Sequence, residues 1–231
     1  MRSSCAARSL TKRRKDSRYV SSRAPHGLRI QKEVGMRIIA GQFRGRTLAA
    51  PKGDGTRPTT DRVRESLMSA VFSQRGGFED AVVLDAFAGS GALGLEALSR
   101  GAARAVFYEC APEAAKVVQK NVANLGLEPA RATVTRADVI ERAPQFARPP
   151  FDLIFLDPPY AYDATAVLGM AAGLVERGVA APDTLVVYEH SLAGNDAAAL
   201  AAAELGFELA SRKKYGDTTV DVLRACERSA S

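Results

Sequence analysis

The sequence predicts an α/β protein built on a mostly parallel seven-stranded sheet, with helices on both faces and an antiparallel hairpin at the C-terminal end. Two observations carry that expectation. Short runs of Val, Leu, Ile and Phe alternate with segments of helical period between Val82 and Glu189, the pattern of strands buried on both sides and joined by helical crossovers. Beyond Gly206 the helices stop, and Phe207–Lys213 and Thr218–Leu223 read as two strands joined through Lys214-Tyr215-Gly216-Asp217.

Residues 1–35 show no sustained periodicity and hold ten Lys/Arg against two Asp/Glu. They read as a flexible basic arm able to add nonspecific affinity for nucleic acid, or as an extension ahead of a start at Met36. From Met36 to Arg46 two short runs separated by Gly41 suggest a hairpin carrying Arg37, Arg44 and Arg46. Gly55-Thr56-Arg57-Pro58-Thr59-Thr60-Asp61 is a polar, proline-marked approach to a helix, in which Val63, Leu67, Ala70 and Val71 form the apolar stripe. The division expected is an arm at 1–35, a hairpin-and-helix extension at 36–78 and a main domain at 79–231.

The main domain begins with a strand at Val82–Phe87, and a glycine-rich turn then opens a helix running to about Arg100. Ala105–Glu109 is a second strand, Pro112–Leu125 a helix stopped by Gly126, and Ala132–Thr135 a third strand leading to Asp138. Phe151–Leu156 is the fourth. It must end at Pro158-Pro159, because two prolines can neither donate to a ladder nor continue it. A helix over 165–177, a fifth strand at Thr184–Glu189 and an alanine-rich helix between Asp196 and Gly206 complete the alternation.

Composition narrows the classes. With 46% hydrophobic residues the chain can bury a full core, and no apolar run reaches membrane-spanning length. No continuous apolar segment follows the basic start, so a secretory leader is not expected. The three cysteines are scattered, which suggests neither a zinc site nor a disulfide framework and suits a reducing cytoplasm. The net charge of +6 conceals an asymmetry: residues 1–35 carry +8, residues 37–64 carry +5, and residues 65–231 carry −7. An anionic partner would be gripped from the front.

Gly89-Ser90-Gly91-Ala92-Leu93-Gly94 satisfies G-x-G-x-x-G between a strand and a helix, and Glu109 lies 24 residues beyond Asp85, where a ribose-binding acid would fall. Alone, this fits a nicotinamide or flavin enzyme as well as one using S-adenosylmethionine. Asp85 separates them, since an acid at the end of the first strand would repel a pyrophosphate but suit the ammonium group of a methionine moiety. Asp138 is then placed to accept from an adenine amino group. Asp157, the Pro158 carbonyl, Pro159 and the flat Tyr160 ring make an acceptor-rich corner able to hold the exocyclic amine of a planar base.

DAFAGSGALG at 85–94 (with Phe87 inside it), Glu109, Asp138 and DPPY at 157–160 together resemble the class I S-adenosylmethionine-dependent methyltransferases that modify exocyclic amino groups. MRIIAGQFRGR at 36–46 with TRPTTDRVRESL at 56–67 looks like the bacterial small-subunit ribosomal RNA guanine-N2 methyltransferases of the RsmD type. The resemblance spans about Met36 to Ala225 and leaves the arm outside. It implies a Rossmann-like fold, S-adenosylmethionine as cofactor, and a monomer acting on a ribosomal assembly intermediate.

Arg37, Arg44, Arg46, Arg57, Arg62 and Arg64 are the candidates for RNA phosphate contacts, which position more than they select. Lys213, Lys214 and Tyr215 could extend that surface. His190 reads as a packing or surface residue, and no metal site is assigned. A DNA adenine-N6 methyltransferase, a Rossmann oxidoreductase and a non-catalytic ribosome-assembly factor are the competing readings. The DPPY corner is shared with the first, is left unexplained by the second, and with its acceptor set intact argues against the third.

Overall fold

In the computed structural model the described residues are 36–51, 61–159 and 161–226. The arm at 1–35, Arg57 with the approach to the first helix, and Tyr160 lie outside them. Helix α1 (Asp61–Arg75) precedes strand β1 (Val82–Asp85), α2 (Ala92–Ser99), β2 (Arg104–Tyr108), α3 (Pro112–Asn124) and β3 (Ala132–Thr135). Strand β4 (Phe151–Leu156), α4 (Ala164–Glu176), β5 (Ala180–Ser191), α5 (Asn195–Glu204), β6 (Phe207–Tyr215) and β7 (Thr218–Ala225) follow.

The seven strands form one sheet in the order β3-β2-β1-β4-β5-β7-β6. The first five run parallel, while β7 pairs antiparallel with both β5 and β6. Strand β5 extends six residues beyond the six read from the sequence, four at its start and two at its end, running from Ala180 to Ser191. The final turn is tighter than expected. Strand β6 runs through Lys214 and Tyr215, which pair with Thr219 and Thr218, so that only Gly216-Asp217 make the loop, and Gly216 takes φ +61, open to glycine without strain.

Alternation along the strands sends side chains into two layers. Val83, Phe107, Leu153, Phe155 and Val187 pack under α1, α2 and α3, and the same cluster takes in Ile38 and Leu48 from the front segment. Leu84, Ile154, Leu156, Val186 and Tyr188 pack under α4 and α5. Truncating any fully buried Leu or Ile here would cost about 2–5 kcal/mol.

Residues 36–48 fold back on themselves, with Arg37 bridging Thr47 and the Ile38 N–H donating to Arg46. Their attachment to the sheet domain is polar at its centre. The fully buried Glu96 carboxylate on α2 accepts from the Ile39 and Ala40 N–H groups at 2.8 and 3.0 Å. Asn121 on α3 accepts from Ala49 N–H and donates to the carbonyls of Ala49 and Ser90. Gly41 is required where this segment crosses α2, because a Cβ there would lie 1.8 Å from the Ser99 carbonyl oxygen. Among the described residues no helix is long and apolar enough to cross a membrane.

Candidate active site

The sheet reverses its winding between β1 and β4, the position at which open α/β sheets bind ligands outside the carboxyl ends of their strands. Four acids meet that rim, one after each of four adjacent parallel strands: Asp138 beyond β3, Glu109 after β2, Asp85 closing β1 and Asp157 after β4.

Each acid is fixed differently. Asp85 is 2% exposed and accepts the Gly94 N–H at 3.0 Å. Burial pushes its carboxyl up to about 7, the Gly94 bond opposes the rise, and the charges of Asp157 and Glu109 add to it. Burial likewise raises Asp157 to about 6. Glu109 accepts from Gly89 N–H and Ala111 N–H, both at 2.8 Å. Asp138 accepts from Ile140 N–H through Oδ1 and from the Tyr162 hydroxyl through Oδ2, both at 2.9 Å.

The glycine turn lies among these acids. Gly89 adopts φ +54, and a Cβ built there meets nothing within 4 Å, so the backbone borders open space. Gly94 serves packing instead: a Cβ would sit 2.4 Å from the Phe107 ring, so α2 can approach β2 this closely only with glycine. Gly91 takes φ +79 at the start of α2. Ser90 turns its hydroxyl to the Met36 sulfur at 3.2 Å, while its carbonyl is held by Asn121. Open space over Gly89, flanked by carboxylates with unused lone pairs at Glu109 and Asp138 and a buried acid at Asp85, fits an adenosine with a cationic tail.

Phe87 and Tyr162 meet edge to face with centroids 5.6 Å apart, and the Tyr162 N–H donates to the Pro159 carbonyl at 3.0 Å. The chain thus turns sharply after the prolines before Asp163 caps α4 by accepting from Thr165 N–H and Ala166 N–H. A hollow of about 180 Å³ opens beside this corner between Pro158-Pro159, Tyr162 and the end of β5 at Tyr188–Ser191. A second hollow of about 160 Å³, lined by Val175, Leu205 and Phe207, lies at the other end of the strands, away from the acids.

The predicted arginines divide. Arg37, Arg44, Arg46 and Arg62 are exposed. Two of these are partly committed, Arg37 to the Asp61 carboxylate and Arg46 to the Asn124 carbonyl. Arg64 is not a phosphate contact. It is 1% exposed, donating to Asp61 and to the Arg37 carbonyl, with Glu96 4.0 Å away. The sequence carried the signal: 64, 67, 68 and 71 are one i, i+3, i+4, i+7 set, so position 64 belongs to the buried stripe of α1. Lys213 and Tyr215 at the hairpin tip reach Ser66 on α1. His190 is buried, stacked against Tyr188 at 4.9 Å and bonded to Asp221 at 3.1 Å.

Residues 36–224 match the family described as conserved hypothetical protein 95. The chain belongs to this family. Ribosomal RNA small subunit methyltransferase D of Escherichia coli (strain K12) is 39% identical over 156 residues, covering 68% of this chain and 74% of that protein. The protein of the same name from Haemophilus influenzae is 36% identical over 157 residues, 67% of this chain and 78% of its own length. Among solved structures, yhhF of Escherichia coli, provisionally named a methyltransferase, superposes with a TM-score of 0.66 at 33% identity, covering 84% of this chain and 99% of that one. The fold is that of the class I methyltransferases.

Tyr162, Asn121 and Glu96 escaped the sequence reading. Only Tyr162 left a trace there, as a second aromatic two residues past Tyr160 in DPPYAY.

Proposed function

We propose that this protein transfers a methyl group from S-adenosylmethionine to the exocyclic N2 amine of a guanine in small-subunit ribosomal RNA. The observation that carries the reading is the set of four acids at the carboxyl ends of β3, β2, β1 and β4, arranged around an open glycine turn. The names of the Escherichia coli and Haemophilus influenzae relatives supply the ribosomal RNA. The substrate form that suits a basic front is an assembling ribosomal particle, met by a cytoplasmic monomer.

The cofactor supplies a methyl group activated on a sulfonium. Glu109 holds the ribose hydroxyls, Asp138 accepts from the adenine amine, Phe87 lies against the base, and Asp85 faces the ammonium group. The backbone of Gly89, Ser90 and Gly91 leaves room for the chain of the ligand, and Gly94 lets α2 pack close behind it. A cationic ligand group beside Asp85 offsets the cost of its burial, lowering the carboxyl from about 7 toward its ionised form.

At the corner, Asp157 and the Pro158 carbonyl accept the two amine hydrogens. This draws the nitrogen lone pair out of conjugation with the ring and toward the methyl group. Pro159 fixes the turn and Tyr160 stacks on the base, a contact worth about 1–3 kcal/mol. Positioning in the manner of an intramolecular reaction supplies much of the acceleration. The methylated nitrogen is acidic, and Asp157 or water takes its proton. A stacked, paired guanine cannot reach this corner, so the target enters unpaired or flipped, with the hollow beside Pro158 as the space it enters. Arg37, Arg44, Arg46, Arg57 and Arg62 hold phosphates, and the arm at 1–35 adds nonspecific attraction.

Labelled S-adenosylmethionine offered with unmodified small-subunit particles, naked ribosomal RNA and DNA tests this. N2-methylguanosine in the ribosomal samples is the expected product. N6-methyladenine in DNA would keep the corner's chemistry and overturn the substrate.

A further inference from the structure

Tyr162 touches both halves of the site. Its hydroxyl donates to Asp138 Oδ2 at 2.9 Å, its ring lies edge to face on Phe87 at 5.6 Å, and its N–H closes the turn onto the Pro159 carbonyl at 3.0 Å. It also lines the hollow beside Pro158 and Pro159. No other described residue joins the Asp138 carboxylate, the glycine-turn aromatic and the proline corner in this way.

We propose that Tyr162 is a positioning residue that aims the Asp138 carboxylate at the adenine amine and ties that aim to the geometry of the Asp157–Pro159 corner. The proposal rests on the cofactor reading above. An Asp carboxylate turns broadly about its last torsion, so one backbone bond leaves its plane loosely set. Here the Ile140 N–H holds Oδ1 and the Tyr162 hydroxyl holds Oδ2, which fixes the plane with two donors. A carboxylate offers about four lone-pair positions, so two remain for an amine. The hydroxyl is held as a donor, its own deprotonation pushed up to about 12 by the hydrogen bond to Asp138 and then by burial. Because the Tyr162 N–H is bonded to the Pro159 carbonyl, a shift of the prolines around a bound base moves the tyrosine, and with it Asp138.

The opposite sign is physically available: the tyrosine hydroxyl could instead occupy the place the amine needs, and its removal would then tighten binding. Tyr162→Phe in the full chain, which keeps the ring, decides between them by calorimetric titration with S-adenosylhomocysteine and with its inosine counterpart, in which an oxygen replaces the amine. Expected is an affinity for S-adenosylhomocysteine weakened about 3- to 10-fold, the range of one net hydrogen bond. The preference for the adenosine over the inosine ligand should shrink by a similar factor. In an Asp138→Asn background, the Tyr162→Phe change should add nothing further.

A merely structural tyrosine would weaken both ligands equally and leave their ratio intact, which overturns the proposal, as would tighter binding. Wild-type protein that binds neither ligand would overturn the cofactor reading itself.

Discussion

Two groups of acids in this fold are treated in opposite ways. Glu96, fully buried, faces Arg100 at 2.7 Å and Arg64 at 4.0 Å. Asp221, 1% exposed, takes both nitrogens of an Arg212 fork at 2.6 Å and His190 at 3.1 Å. Burial alone would raise the Asp221 carboxyl, but the bonds and charges of Arg212 and His190 outweigh it and hold it below the ordinary value. Among the described residues, none of the acids at the strand ends has a cation within ion-pairing distance. Asp85 and Asp157 are accordingly pushed up. Where the fold supplies a cation, the acid is a fastener. Where it supplies none, the acid waits for a positive or hydrogen-rich ligand, and the cost of burying it is the trace of that role.

The contrast can be broken at the fasteners first. Glu96→Ala removes the anchor of Ile39 and Ala40 and leaves the buried Arg64 with Asp61 as its one remaining acid; a loss of about 3–5 kcal/mol is expected. At about 2–4 °C per kcal/mol this is a drop in Tm of roughly 10 °C, read by thermal unfolding. Asp157→Ala should leave Tm nearly unchanged and keep S-adenosylmethionine binding, while kcat falls about 10²- to 10³-fold, the range for removing one preorganised electrostatic contact. Equal effects of the two substitutions on Tm would erase the distinction.

Asp85→Asn sharpens it. A carboxyl raised from 3.8 to about 7 contributes stability that is fully present below pH 3.8 and is lost as pH rises through about 7. The asparagine variant, which can still accept from Gly94, should therefore match wild type near pH 4 and melt higher at pH 8. The ceiling on that gain is about 4 kcal/mol, and cofactor affinity should fall at the same time. A variant that melts lower at pH 8 would show that Asp85 is a fastener after all.

The smallest effect separates the arginines. Arg44→Ala should lower the salt slope of RNA binding by about 1 and leave Tm unchanged, whereas Arg64→Ala should act on Tm.

The legibility of these features follows their range in the chain. Strand and helix periods are local, and so is the rule that prolines end β4; the rim acids could be found because the βα repeat brings each one to the same edge. The Glu96 clamp on Ile39 joins residues 57 apart, and Asn121 reaches Ala49 across 72. Neither pairing has a local pattern, so both emerge only from packing. Arg64 differs: its residue type suggests a phosphate contact, but its position on α1 places it in the buried stripe. Tyr162 was hidden because its partner Asp138 lies 24 residues away, across a turn whose shape the sequence does not state.

The most direct test is the pH dependence of kcat at saturating S-adenosylmethionine with ribosomal substrate, for wild type and Asp157→Asn. With Asp157 raised to about 6, ionisation restores the acceptor as pH rises, so the wild-type rate should climb through about pH 6 and then level. The asparagine variant should be slower and flat across that range. A wild-type rate that does not change between pH 5 and 8, or the same acid limb persisting in Asp157→Asn, would contradict the role given to the uncompensated acid.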